Sequence, residues 1–280
     1  MTANRPSSHS HWRLEEIPWA AIRHEAIRGD RYFLQLVASA SFVESAADLY
    51  TANLLRYFEG DAEISAWLER EWQHEEMQHG AALRRYVAEV WPEFDWQPAY
   101  DGFLAEYSPL CDDAHLGPTR CLELVSRCVV ETGTSSFYRM LAAASPEPVL
   151  AHLAEHIRKD EVRHYKHFFR HFRDYREQEA VGRHAVLWAL WARLREIEVE
   201  DERVAFHHVQ QQLVPGHEVA SDDYAVFRRR NAELVRRHFP FSTGIRMLLK
   251  PLRLNARVER LAVPLLARGA RLGLPGRTQQ

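Results

Sequence analysis

The chain has 280 residues, 46% hydrophobic and 27% charged, enough to bury one large core or two small ones, which excludes a disordered protein. No apolar run approaches the length of a bilayer-spanning helix, and the polar start through Trp12 lacks the apolar stretch of a secretory signal. The net charge of -3 hides an asymmetry: from Phe227 onward 13 Arg and Lys stand against Glu233 and Glu259, and the preceding residues carry 23 basic against 37 acidic groups. An acidic body with a basic tail is expected to bind an acidic partner, an anionic membrane surface or its own body.

Apolar residues recur at helical spacing nearly throughout, while Pro and Gly are scarce until the end. The spacing predicts helices over 31–58, 61–91, 118–144, 147–177, 183–213 and 221–238. Gly60-Asp61 separates the first two, with Asp61 as N-cap. Trp91-Pro92 closes the second, because the residue before a proline is pushed out of the helical region. Residues 92–117 read as a longer connection with a short helix near Phe103–Tyr107. Ser145-Pro146-Glu147 reads as an N-cap, a proline at the first helical position and an acid in the first turn. Residues 240–280, with Pro240, Pro251, Pro264 and Pro275, read as short surface helices. Cys111, Cys121 and Cys128 are an odd number without a C-x-x-C pair; Cys121 and Cys128 share a helical face as buried thiols. A reducing, cytoplasmic setting is expected.

Four of the predicted helices carry one repeated arrangement. A lone Glu44 is followed by Glu76 and His79, and a lone Glu131 by Glu161 and His164; the two intervals are 32 and 30 residues. A Glu and a His three apart share a helical face. A single Glu-x-x-His tetrad arises by chance about once in a chain of this make-up, and could decorate a solvated face. Here both tetrads lie in helices, and each follows a helix whose apolar face is interrupted by a Glu. Glu44 sits among Ala38, Ser41, Phe42, Val43, Ala46 and Ala47, and Glu131 follows Cys128-Val129-Val130, surroundings in which an unpaired carboxylate is rare.

Four carboxylates and two imidazoles suit a pair of iron ions, with manganese as the alternative at one position. Glu76 and Glu161 are assigned as bridges, Glu44 with His79 to one ion, and Glu131 with His164 to the other. Without metal the four carboxylates would repel one another and raise their pKa values. Glu75 and Asp160 each precede a bridging Glu. Glu75 is expected to orient His164 and Asp160 to orient His79 across the bundle, with Arg163 neutralising the excess charge. The expected fold is therefore all-α: a ferritin-like four-helix bundle over 31–215 with two short links and one long crossover, an N-terminal extension over 1–30, and a basic C-terminal helical extension over 216–280.

The segment from Trp67 to Gly80, with Glu75-Glu76-Met77-Gln78-His79-Gly80, resembles the tryptophan-flanked E-E-x-x-H-G segment of soluble acyl-carrier-protein desaturases. Asp160-Glu161-Val162-Arg163-His164 resembles their D-E-x-R-H segment, and Glu131 is followed three residues later by Thr134 as in that family. The resemblance covers roughly residues 31–175; Met77-Gln78 departs from it, and residues 180–280 lie outside it. It implies a di-iron cluster that activates dioxygen with electrons from a ferredoxin-type donor and abstracts hydrogen from an unactivated C–H bond. It also implies that Thr134 lies near the oxygen-binding face as a proton relay, against the plain alternative of a Thr bonded to a helix carbonyl.

The expected function is a di-iron desaturase or hydroxylase of an aliphatic or carrier-bound acyl substrate. The alternatives are an N-oxygenase or hydroxylase of a small metabolite, and a non-catalytic or peroxide-scavenging ferritin-like protein. Expected partners are dioxygen, the electron donor, an acyl carrier protein or anionic membrane at the basic tail, and a second copy in a homodimer. Nucleic acid is not expected, since no recognition motif accompanies the charge. His167 and His171 share the His164 face but are read as exposed or hydrogen-bonded rather than ligating, and His74, His152 and His156 likewise. Glu202, His207 and His208 are read as a solvated face. The tryptophans, including Trp67, Trp72, Trp188 and Trp191, are read as core, with electron shuttling as the alternative for one of them.

Overall fold

The computed structural model of the chain describes residues 12–111, 116–196, 200–214 and 221–274; Pro275 and the polar residues before Trp12 lie outside them. Among the described residues all regular structure is helical. None of these helices is long and apolar enough to cross a membrane.

A short α1 (His24–Ile27) precedes α2 (Arg31–Ser45) and α3 (Ala47–Tyr57). The 31–58 stretch is thus two helices, broken at Ala46, whose N–H is shared between the carbonyls of Phe42 and Val43. A neighbouring helix comes close beside this break. A Cβ on Gly80 would lie 2.8 Å from the backbone nitrogen of Ser45, so glycine lets the two backbones meet there. The Ser45 carbonyl is satisfied by the Tyr100 hydroxyl at 2.9 Å.

Gly60, at φ 89°, makes the turn that follows, a conformation L side chains resist. Asp61 then caps α4 (Ala62–Trp67) by accepting from the N–H groups of Glu63 and Ile64. A π turn over Leu68–Trp72 links α4 to α5 (Gln73–Val90), so the 61–91 helix carries one wide turn just ahead of Glu75. Such turns are frequent beside functional sites. The connection from 92 holds α6 (Trp96–Tyr107), a longer helix than the spacing predicts. Next come α7 (Arg120–Ala144) and α8 (Pro148–Gln178).

The cap of α8 lies two residues beyond the expected Ser145. Glu147 is the N-cap and Pro148 the first helical residue. The fully buried Glu147 carboxylate accepts from the N–H groups of Val149 and Leu150, from Tyr86 Oη at 2.8 Å and from the Arg23 N–H at 3.2 Å. Ser145 instead holds the link, exchanging bonds with the Glu147 backbone. Four donors on one carboxylate outweigh the short reach of a serine.

Helix α2 packs on α5, α7 on α8, and α5 meets α8. Two apolar clusters fill the interior. One holds Phe33, Val37, Tyr86, Val90, Tyr138, Leu141, Leu150 and Ile157; the other holds Leu54, Phe58, Leu68, Trp72, Leu124, Cys128, Phe168 and Phe172. Along α7 the chain runs from the second cluster to the first, and along α8 from the first to the second. The same reversal relates α2 with α3 to α4 with α5, so both pairs are antiparallel. Between the clusters each pair carries its acidic residues.

Residues 12–30, expected as an extension, join the first cluster through Trp12, Ile17, Ile22 and Ile27. The predicted 183–213 helix is α9 (Arg183–Glu196) and α10 (Glu200–Leu213), and its middle falls outside the described residues. Helix α11 (Ser221–His238) follows. Glu202 and His208 are not on a solvated face: Glu202 accepts from Tyr224 and Asn231, and His208 pairs with Glu106 at 3.0 Å, tying α10 to its neighbours. Trp188 and Trp191 are exposed rather than core, because α9 buries its Val186 and Leu190 side. The tail comprises α12 (Phe241–Leu249) and α13 (Ala256–Leu272), the latter longer than expected and continuous through Pro264. Part of the basic region returns to the body, where Arg230 pairs with Asp30 at 2.8 Å and covers the Tyr32 ring.

Candidate metal centre

All six residues of the repeated arrangement meet in the acidic layer between the apolar clusters. Glu44, Glu76, His79 and Glu161 offer one ligand atom each within 4.8 Å of one another, and so do Glu76, Glu131, Glu161 and His164. The two quartets share Glu76 and Glu161. All six are buried; His79 and His164 are wholly inaccessible.

The imidazoles are oriented from outside the layer. His79 Nε2 lies 3.1 Å from Asp160 Oδ2, and His164 Nε2 lies 2.6 Å from Glu75 Oε2. Arg163 donates to both carboxylates, at 2.8 Å to Asp160 and 2.6 Å to Glu75. With Nε2–H committed to a carboxylate, the neutral form of each ring would turn a bare Nδ1 inward. His79 Nδ1 faces Glu161 Oε1 at 3.3 Å and Glu44 Oε2 at 3.5 Å. His164 Nδ1 faces Glu76 Oε1 at 3.0 Å and Glu131 Oε2 at 3.6 Å.

These inward atoms test whether metal ions fit. His79 Nδ1, His164 Nδ1, Glu44 Oε2, Glu131 Oε2 and Glu161 Oε1 are all buried without a hydrogen-bond partner. Buried polar atoms are normally satisfied, and five unsatisfied lone-pair bearers converging on one space call for cations there. Two divalent ions would balance four carboxylates, and the ring nitrogens would complete the donor set. The residues present fit a pair of metal ions.

Electrostatics without metal raises Glu131 and Glu76 and not Glu161: burial opposes ionisation of Glu161 as well, but its bond to His79 and the nearby His164 and His79 hold it below its ordinary value. Burial pushes Glu131 up to about 8, with the nearby Glu161 adding to it. Burial, then the charges of Glu161 and Glu44, raises Glu76 well above the carboxylate range. Burial opposes ionisation of Asp160 and Glu75 too, but their bonds to His79 and His164 and the Arg163 charge hold both below their ordinary values. Burial favours neutral rings in His79 and His164, yet the surrounding carboxylates raise both. Positive charge is demanded inside the layer and supplied by protons when no metal is bound.

Thr134 Oγ1 lies 2.5 Å from Glu161 Oε2 and 3.3 Å from the carbonyls of Val130 and Glu131. A hydroxyl has one proton, and the short contact to the carboxylate takes it. His167 stacks on Trp67 with ring centroids 3.8 Å apart and contacts His171 at 3.1 Å, away from both quartets.

Two contributors escaped the sequence reading. Tyr138 donates its hydroxyl to Glu44 Oε1 in a short, buried hydrogen bond. It lies seven residues after Glu131, two turns along the same face of α7, and that spacing was the available signal. Trp12 donates from Nε1 to Asp160 Oδ2 at 2.7 Å, with its ring parallel to that of His79. Its carbonyl accepts from Gln78 Nε2 at 3.0 Å, so Gln78 fastens the N-terminal segment over the centre. Nothing in the periodicity around Trp12 announces this contact.

No protein-family description matches the chain, and no curated protein is significantly similar to it in sequence. The fold and the residues of the centre therefore carry the functional reading.

Proposed function

We propose that the chain is a dioxygen-activating di-iron oxidoreductase on a ferritin-like four-helix bundle, of the desaturase or hydroxylase type, acting on an aliphatic or carrier-bound acyl substrate. The observation that carries this reading is the pair of buried quartets sharing Glu76 and Glu161. The antiparallel pairing of α2 with α5 and of α7 with α8, one half-site from each pair, supports the bundle assignment. A carboxylate-rich set with one imidazole per ion favours iron, with manganese as the alternative at one position, over thiolate-seeking or all-oxygen metals.

Glu44 and His79 would hold one ion, Glu131 and His164 the other, and Glu76 and Glu161 would bridge them. When bound, the pair supplies two-electron chemistry toward dioxygen and oxidation of an unactivated C–H bond, drawing on a ferredoxin-type donor. Asp160 and Glu75 keep each Nδ1 aimed inward, and Arg163 balances their charge. Tyr138 fixes the rotamer of Glu44. Thr134 holds a proton at Oγ1 beside Glu161, the position of a relay. The apolar clusters on either side exclude bulk water, which strengthens every interaction inside.

The test is anaerobic reconstitution with Fe(II), metal analysis, then exposure to oxygen under optical spectroscopy. About two irons per chain and an oxygen-dependent absorbance change are expected. Failure to bind iron, or full activity in Glu76→Ala and Glu161→Ala, overturns the proposal. Mass spectrometry of products formed with labelled dioxygen then separates oxygenation, which leaves label in the product, from desaturation, which does not.

A further inference from the structure

Among the described residues, helix α13 leaves an apolar face uncovered. Val263 and Ala267 are its buried residues, and α12 is the helix it packs on. Val258, Leu261, Leu265 and Leu272 recur at intervals of three, four and seven, so they form one stripe along the helix. The stripe points to solvent: Leu261 is 68% exposed, Leu265 70% and Leu272 73%. Isolated exposed leucines are ordinary, but a ridge of them on one helix marks an interaction surface.

The charges beside the ridge identify what it meets. Arg257, Arg260, Arg268 and Arg271 are all exposed and lie on the flank between the stripe and the packed side. Glu259 is the single acid of α13, on its other flank and paired with Arg246 at 3.8 Å. Arg253 and Lys250 lie just before the helix, where α9 joins: the Arg183 guanidinium reaches the Arg253 carbonyl.

We propose that α13 is an interfacial helix that docks the protein on an anionic lipid surface, leucines inserted among the acyl chains and arginines on the headgroups. This combination of an apolar stripe with a cationic flank is what such a surface requires. A folded acidic protein would match the arginines but would need a preformed apolar groove shaped to all four aliphatic side chains, whereas a bilayer accepts an apolar stripe with a cationic flank without such a fit. A second copy paired antiparallel through this stripe would set arginine row against arginine row, a like-charge pairing that opposes association. The surface is independent of the metal centre, so either reading stands or falls alone.

The experiment is flotation of the full chain with phosphatidylcholine vesicles, with and without phosphatidylglycerol. Flotation with the anionic vesicles alone is expected, with release by salt. Leu261→Glu with Leu265→Glu, and separately Arg257, Arg260, Arg268 and Arg271→Gln, are each expected to weaken binding at least about tenfold. Helicity and melting should be unchanged because these side chains are exposed, and Leu261→Ser with Leu265→Ser gives a milder second variant. Absence of flotation, or flotation indifferent to the leucine variants, overturns the proposal. So does capture of an acidic carrier protein that needs the arginines but not the leucines, or a dimer dissolved by the leucine changes without any vesicle binding.

Discussion

His164 and Glu75 come from facing helices, and their Nε2 and Oε2 atoms lie 2.6 Å apart, the shortest of the contacts that orient a ring of the centre. Glu75 adjoins the shared Glu76, so α5 both offers a ligand and aims one on α8. Replacing Glu75 with Gln keeps the shape but removes the charge. Loss of about 10- to 100-fold in metal affinity is expected, measured by competition with a chelator. Unchanged affinity would mean that the contact does not set the ring.

Thr134→Val removes the hydroxyl that donates to Glu161 while preserving shape. Iron content should stay at the wild-type level, turnover should fall by about 100-fold or more, and Thr134→Ser should restore most of it. Equal turnover in the Val and Ser variants would assign the hydroxyl to the helix carbonyls alone.

Gly80→Ala separates propensity from packing. In an open helix this change would stabilise by about 1 kcal/mol. Here the new Cβ meets Ser45 backbone at 2.8 Å, which cannot rotate away. Net destabilisation of about 1–3 kcal/mol is expected in denaturant titration, together with weaker metal binding, since Glu44 and His79 flank the crossing.

Tyr138→Phe leaves Glu44 Oε1 buried without its donor. A loss of about 1–3 kcal/mol is expected for the metal-free protein, read as a lowered melting temperature. A drop in excess of this range would point to a larger rearrangement of α7.

The pH response should change sign with metal. In the metal-free protein Glu131 sits at about 8 against an ordinary 4.5, and Glu76 is raised as well. Groups with raised folded pKa values contribute stability that is complete below about pH 4.5 and lost as pH rises through about 8. Melting temperature without metal should therefore fall over that interval. Metal requires deprotonated ligands, so its affinity should rise over the same interval with release of protons. Calorimetry in buffers of different ionisation heat checks the release.

Helical spacing was legible from the chain because burial of one helix face imposes a 3.6-residue repeat on apolar residues. The same rule exposed Glu44, Glu76, His79, Glu131, Glu161 and His164, and the adjacency of Glu75 and Asp160 to the shared carboxylates revealed their partners across the bundle. What spacing misses is contact between segments distant in sequence. Trp12 reaches Asp160 across 148 residues, and the Ser45 backbone meets Gly80 on another helix. The shift of the α8 cap to Glu147 likewise depends on Tyr86 and Arg23.

Residue types and their intervals therefore determined that this chain is helical and that six donors could share one layer. The tertiary structure decided which lone pairs are left facing one another and which leucines stay in water. Periodicity is a property of one helix, whereas those outcomes depend on which helix lies opposite and how closely the backbones meet.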